Sequence, residues 1–176
     1  EISIRDLATG QEVPIGETGE VWARGPQISD GYSGHPELTA EQFVDGWLRT
    51  GDLGRLDDEG WLYLVGRAKD MLIYKGYNVY PTPLESHLAS HPAVAQASVI
   101  GAPSQDVGEI PVAYVVLRAG HERSDGLAEE LMAYVAARVA PYARVREIVF
   151  IDALPVSAAG KILKTDLRDR YASAQA

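Results

Sequence analysis

Three short segments of this 176-residue chain set charged side chains on glycine-containing turns. In Trp47-Leu-Arg-Thr-Gly-Asp52, a Thr-Gly-Asp turn presents the Asp52 carboxylate with its two oxygens free. Such a group can accept from both hydroxyls of a ribose, and it serves equally well as the cap of an ordinary surface turn. Between Gly66 and Glu85, three cations (Arg67, Lys69 and Lys75) crowd into one stretch of an otherwise acidic chain. The rigid fork of Arg67 suits a ribose or phosphate, and Gly76 lets a slender ligand pass close to the backbone. The competing reading is a solvated hairpin with a glycine turn. In Leu154-Pro-Val-Ser-Ala-Ala-Gly-Lys-Ile-Leu-Lys164, the Gly160-Lys161 pair can extend an ammonium towards an anionic oxygen, or can be plain surface. It is not a phosphate-cradling loop, because Pro155 stands where the first Gly belongs and Ile162 where Ser or Thr belongs. His87 and His91, four apart, could share a helical face, yet no third ligand accompanies them and no metal site is expected.

Composition limits what those segments can serve. The formal net charge is -9 and the pI about 4.9, which disfavours nucleic acid as a partner but leaves room for one small basic site. With no Cys, disulfides, thiolate nucleophiles and Cys-ligated metals are excluded, and a cytoplasmic location is expected. No run of about 18 apolar residues occurs, so no membrane-spanning helix is expected. Alternation of Ile2 and Ile4 with polar neighbours from the first residue reads as a strand cut from a longer protein.

The elements that must carry these residues fall into two halves. Residues 1–66 read as strand and turn: strands at 1–5, 20–24, 46–49 and 61–65, glycine turns between them, and one helix at 36–43. From Gly66 helices enter. A hairpin of 71–73 and 77–80 flanks Lys75-Gly76, and a helix is expected over 83–90 with Pro at its start. Residues 94–100, 111–117 and 147–151 are β-rich. Leu127, Leu131, Tyr134, Val135 and Val139 share one face of an amphipathic helix. Thr165 is expected to cap a last helix running to about Tyr171. Without strict βαβ alternation, this half is α+β.

Taken in order, Gly16–Tyr32, Arg-Thr-Gly-Asp, Gly-Arg-x-Lys-Asp and Leu-Pro-x-x-x-x-Gly-Lys resemble the adenylate-forming superfamily of acyl- and aryl-CoA synthetases, beetle luciferases and nonribosomal adenylation domains. Tyr74-Lys-Gly-Tyr-Asn-Val-Tyr-Pro resembles the acyl-CoA synthetase branch. The resemblance implies a fold: a β-rich remnant of the large domain's barrel over 1–66, then a mobile α+β C-terminal lid over 67–176 with a central three-stranded sheet. It implies an acid–thiol ligase using ATP, Mg²⁺ and CoA, in which a carboxylic acid is adenylated and then passed to the thiol. By the same resemblance Asp52 and Arg67 bind the nucleotide, Lys69 is the hinge, Lys75 and Gly76 line the pantetheine passage, and Lys161 is catalytic. Ile73 stands where some members carry a second lysine, and takes no role. The N-terminal domain of the same protein is the expected partner. It would hold most of the Mg²⁺ site and the acid, leaving the 176 residues alone inactive and their exposed strands open to homo-oligomer formation. Two alternatives stand: an acyl–AMP ligase loading a carrier protein, and a non-catalytic binding domain that kept the fold.

Overall fold

The computed structural model describes residues 1–175, which form two compact units, one over Glu1–Lys69 and one beginning at Asp70. The division falls after Lys69 rather than after residue 66, because Arg67 still belongs to the last strand of the first unit. Among the described residues, no helix is long and apolar enough to cross a membrane.

The first unit is an antiparallel sheet. Its strands are β1 (Ile2–Arg5), β2 (Gly19–Ala23), β3 (Phe43–Val44), β4 (Trp47–Leu56) and β5 (Leu62–Arg67), with the short helix α1 (Pro36–Gln42) before β3. The long β4 pairs with β2 along one edge and with β3 and then β5 along the other. The Thr-Gly-Asp segment expected as a turn therefore lies within a strand. Between the pairs Trp22–Arg49 and Glu20–Leu53, β4 carries Thr50, Gly51 and Asp52 opposite the single residue Val21. This is a bulge, and Gly51 takes it at φ +70°, where a side chain would be strained. Ile4, Val21, Trp22 and Leu53 are buried. On β5 and just before it, Trp61, Leu62, Tyr63 and Leu64 are all exposed, so both faces of this edge strand are uncovered.

The second unit is α+β. It contains the hairpin β6 (Leu72–Tyr74) and β7 (Tyr77–Val79), helix α2 (Pro81–Ala89), the long hairpin β8 (Val94–Ser104) and β9 (Gly108–Leu117), helix α3 (Asp125–Ala136), β10 (Glu147–Phe150) and helix α4 (Lys164–Gln175). The expected three-stranded centre is present as β8–β9–β10, with β10 parallel to β9. The sheet is wider than expected, because β6–β7 joins it through Tyr74 opposite Gly108. Side chains alternate across the sheet, as strand geometry requires. Val99, Ala113 and Val115 face Leu84 and Leu88 of α2 and Leu131 and Val135 of α3. Ile100, Ala102, Val112 and Tyr114 face the other way, onto Leu154 and Leu167.

Helix ends follow local chemistry. α2 starts at Pro81 rather than Pro83, since Pro81 has the fixed φ of a first helical residue and Tyr80 before it is extended. α3 starts where the Ser124 hydroxyl accepts from the Leu127 N–H at 3.1 Å. α4 begins at Lys164, so Thr165 lies inside it and does not cap it, and the helix continues past Tyr171 to Gln175. Its anchors are Leu167, fully buried, the Tyr114 hydroxyl donating to the Leu167 carbonyl at 3.1 Å, and the Tyr171 hydroxyl donating to Glu147 at 2.7 Å. Burial and the Glu147 carboxylate push the Tyr171 hydroxyl up to about 12 from 10.0. The folded state thus holds that proton more tightly than the unfolded chain. Its contribution is complete below pH 10 and is lost as the pH rises towards about 12. Urea unfolding between pH 9 and 12 is expected to show this loss, and Tyr171→Phe is expected to remove that component. Identical pH curves for the two proteins would contradict the anchoring role.

Candidate functional site

Asp52 and Arg67 face each other in register on β4 and β5, with Arg67 Nε 3.0 Å from Asp52 Oδ1. Both side chains are partly exposed, at 38% for Arg67 and 41% for Asp52, so a ligand in solution can reach them. The approach is Coulombic without being a well-aimed hydrogen bond, because the buried Nε–H has no hydrogen-bond partner. Arg67 Nη2 donates only weakly, to the Thr50 carbonyl at 3.4 Å. The partly exposed Asp52 carboxylate, with the Arg67 guanidinium beside it, suits a ligand that donates hydroxyl protons, as a ribose diol does.

The bulge that presents Asp52 is held from beneath by Glu20, a carboxylate only 4% exposed. Its Oε1 accepts from the Gly51 N–H at 3.2 Å. Its Oε2 accepts from the Trp22 indole at 3.0 Å and from Arg49, whose Nε and Nη2 both lie at 3.0 Å. Within the bulge, the Thr50 hydroxyl donates to the Val21 carbonyl at 2.7 Å and accepts from the Asp52 N–H at 3.1 Å. Arg5 stacks between Trp22 and Trp47, at 4.3 and 5.0 Å from the two ring centres, and Arg24 lies over Trp47 at 4.5 Å. A buried carboxylate is tolerated only with such donors around it. The sequence reading missed Glu20. The available signal was a charged residue sharing a strand face with Trp22 in a β-rich run.

Lys69 is exposed in a single 3₁₀ turn, Ala68–Asp70, between Arg67 in β5 and the start of the second unit. Asp70 lies 3.6 Å from Arg168 of α4. Lys75 and Gly76 are the two central residues of the β6–β7 hairpin, at φ +50° and +82°. Both positive values define the tight turn that matches strand twist. A Cβ on Gly76 would point into open space, so the backbone there is accessible to a ligand. Beside this turn Tyr77 stacks on Tyr142 with ring centres 4.7 Å apart, and Arg146 lies over Tyr74 at 4.8 Å.

Lys161 stands on a separate, closed turn. Ser157 N–H donates to the Lys161 carbonyl at 2.8 Å, and Lys161 N–H donates to the Ser157 hydroxyl at 3.2 Å. Gly160 sits at φ +77°, and Val156 bridges Ile162. The loop is thus hydrogen-bonded rather than slack, and its stems are sunk in the core through Leu154 and Ile162. The Lys161 residue is exposed, and no carboxylate of the described residues forms an ion pair with it. Lys164, by contrast, is spent on Glu85 at 2.7 Å. His91 is also spent, on Glu130 at 3.2 Å and on the Ala93 N–H. Among the described residues no group of three or more His, Cys, Asp or Glu could hold a metal ion.

The folds of the two units match the C-terminal part of adenylate-forming enzymes. The sequence comparisons agree: residues 83–161 match the AMP-binding enzyme C-terminal domain, and the chain belongs to the adenylate-forming family. It is 43% identical over 168 residues to 4-coumarate–CoA ligase-like 4 of Oryza sativa subsp. japonica, covering 95% of this chain and 30% of that protein. It is 42% identical over 165 residues to peroxisomal OPC-8:0-CoA ligase 1 of Arabidopsis thaliana, covering 93% and 30%. The o-succinylbenzoate CoA synthetase MenE of Bacillus subtilis, solved with the acyl-adenylate intermediate OSB-AMP, superposes with a TM-score of 0.87 at 40% identity, over 96% of this chain and 34% of that one. The chain therefore spans about 30% of the length of the curated relatives it matches.

The Glu20 network gives a direct test. All three tryptophans, Trp22, Trp47 and Trp61, lie in the first unit, so fluorescence reports on it alone. Glu20→Ala leaves Arg49, Trp22 and the Gly51 N–H without their acceptor, and is expected to cost that unit about 3 kcal/mol in urea unfolding. A cost below about 0.5 kcal/mol, the size of an ordinary surface change, would contradict the network.

Proposed function

We propose that this chain is the C-terminal part of an ATP-dependent carboxylic acid–CoA ligase. The observation that carries the reading is the Asp52–Arg67 pair, in register on β4 and β5, with a partly exposed carboxylate beside a partly exposed guanidinium. The relatives named as CoA ligases and the neighbour solved with an acyl-adenylate support it. The names of those relatives also favour CoA over a carrier protein as acceptor.

On this reading a substrate carboxylate attacks the α-phosphate of ATP, the bond to the β-phosphate breaks, and acyl-adenylate and pyrophosphate form. The thiol of CoA then attacks the acyl carbon, AMP leaves, and the thiol proton passes to solvent. Asp52 accepts from the ribose hydroxyls and Arg67 donates to the nucleotide beside it. Lys161 meets the charge that grows on the phosphate oxygens during the first step. An ammonium with no carboxylate partner is free for that task, and its hydrogen-bonded turn fixes where it is offered. Lys75 and Gly76 flank the path of the pantetheine arm in the second step. Lys69 is the pivot between the two steps, and the exposure of Lys69 in a single 3₁₀ turn supports that role.

The described residues contain no acidic cluster for Mg²⁺, so on this reading the ion is held by residues outside the chain. The same holds for the acyl pocket, and these 176 residues alone are inactive. The uncovered strand around Trp61–Leu64 then packs against the rest of the same polypeptide; offered alone, it is a surface for self-association. A cytoplasmic enzyme is the simplest reading of a chain without Cys.

In the full-length protein, Lys161→Ala is expected to lower acyl-adenylate formation, followed by pyrophosphate exchange, by about a hundredfold or more. Thioester formation from supplied acyl-adenylate is expected to persist. Pyrophosphate exchange at the wild-type rate in the variant would reduce Lys161 to a surface lysine.

A further inference from the structure

The Lys75–Gly76 turn is carried by a hairpin whose Leu72 and Val79 pack in the core but which shares only one ladder pair with its sheet. β6 meets β9 in register only at Tyr74 opposite Gly108. Within the hairpin, Leu72 and Tyr74 pair with Val79 and Tyr77, so the backbone of Ile73 faces away from β7, towards β9. An N–H at that edge needs an acceptor. No strand supplies one. The Glu109 side chain does: its Oε2 accepts from the Ile73 N–H at 2.9 Å. The next such group, the Lys75 N–H, donates to the Val107 carbonyl at 2.8 Å. The Glu109 carboxylate on β9 thus stands in for a ladder bond that β6 and β9 do not make, next to the one backbone bond from Lys75 to Val107.

The seat of this carboxylate is built into the sheet. A Cβ on Gly101 would lie 2.5 Å from Glu109 Oε1 and 2.9 Å from the Leu72 Cβ. Any side chain there displaces either the carboxylate or β6. Gly108, at φ +85°, lets the β8–β9 turn come within reach, and a Cβ on it would lie 3.0 Å from the Ile73 carbonyl oxygen. The turn so held is a costly one. Lys75 is a non-glycine residue at φ +50°, a conformation that persists only where its surroundings impose it. An Asn or Gly at this place would form the turn unaided.

We propose that Glu109 is a positioning residue for the Lys75–Gly76 turn, acting through the Ile73 amide to hold the face of the second unit that receives the acceptor thiol's arm. The functional half of this proposal rests on the ligase reading above; the structural half does not. Glu109→Ala removes the acceptor, whereas Glu109→Gln keeps an oxygen at the same reach.

The test has two arms. In the 176-residue chain, amide hydrogen exchange of Ile73 is expected to quicken about tenfold or more in Glu109→Ala, as loss of a hydrogen bond to a charged acceptor implies. Glu109→Gln is expected to restore most of the protection, and Val115 in the sheet centre is expected to exchange as before. In the full-length protein, Glu109→Ala is expected to raise KM for CoA in thioester formation about tenfold while pyrophosphate exchange stays within about twofold, with Glu109→Gln near wild type, the same free-energy loss read at the acceptor site. Unchanged Ile73 exchange in Glu109→Ala, or equal quickening at Val115, overturns the positioning role. Faster Ile73 exchange with both half-reactions reduced alike overturns its link to the thiol. A wild-type full-length protein without ligase activity sinks the ligase reading and, with it, that link, while the exchange arm still decides the role of Glu109 in the fold.

Discussion

A carboxylate that leaves bulk water must gather donors, and in this chain the donors are backbone amides at the places where strands and turns would otherwise be loose. Glu20 takes the Gly51 N–H inside the β4 bulge, Glu85 takes the Val99 N–H together with the Lys164 ammonium, and Glu109 takes the Ile73 N–H. Charge-assisted bonds of this kind are stronger than neutral ones and tolerate little misplacement. Each one fixes a segment that local propensity leaves undecided. The acidic balance of the chain, net charge -9, is thus partly structural: some of its carboxylates are spent inside the fold.

The consequence for the sites is a division of labour. On the ligase reading, residues offered to a ligand stay free of tight partners: Asp52 keeps a partly exposed carboxylate, and no carboxylate of the described residues pairs with the Lys161 ammonium. Their neighbours absorb the cost of holding them. Glu20, Thr50 and Gly51 shape the bulge under Asp52; Leu154 and Ile162 anchor the turn under Lys161. Lys164, three residues beyond Lys161, shows the contrast. Its ammonium is bound to Glu85 and helps to seat α4 on β8, so it cannot serve the same chemistry.

Much of this was legible in the sequence where the physics is local. The apolar stripe of α3, the glycine turn of β6–β7 and the β-rich runs of β8, β9 and β10 follow from periodicity and turn chemistry over a few residues. The Asp52–Arg67 pairing was legible only as two suggestive residues, because strand register is set by contacts between distant segments. The Thr-Gly-Asp segment looked like a turn for the same reason: one Gly at positive φ serves a turn and a bulge alike, and only the partner strand decides. Glu20 and Glu109 were not legible at all as supports, since their acceptors are matched to amides 31 and 36 residues away. Thr165 was misread as a cap because Lys164 already meets Glu85 and starts the helix.

On the ligase reading, Lys69 is the pivot that lets residues of the two units serve two successive reactions. The segment is short: Arg67 is fixed in β5 opposite Asp52, and Asp70 is near Arg168 of α4, which leaves Ala68 and Lys69 to absorb rotation. Proline at position 69 fixes one of the few torsions available there. The most direct measurement is of the two half-reactions, pyrophosphate exchange and thioester formation from supplied acyl-adenylate, in the full-length protein carrying Lys69→Pro. With a pivot at Lys69, one half-reaction is expected to be largely spared and the other severely reduced. Equal reduction of both, or no reduction of either, would contradict a pivot at Lys69.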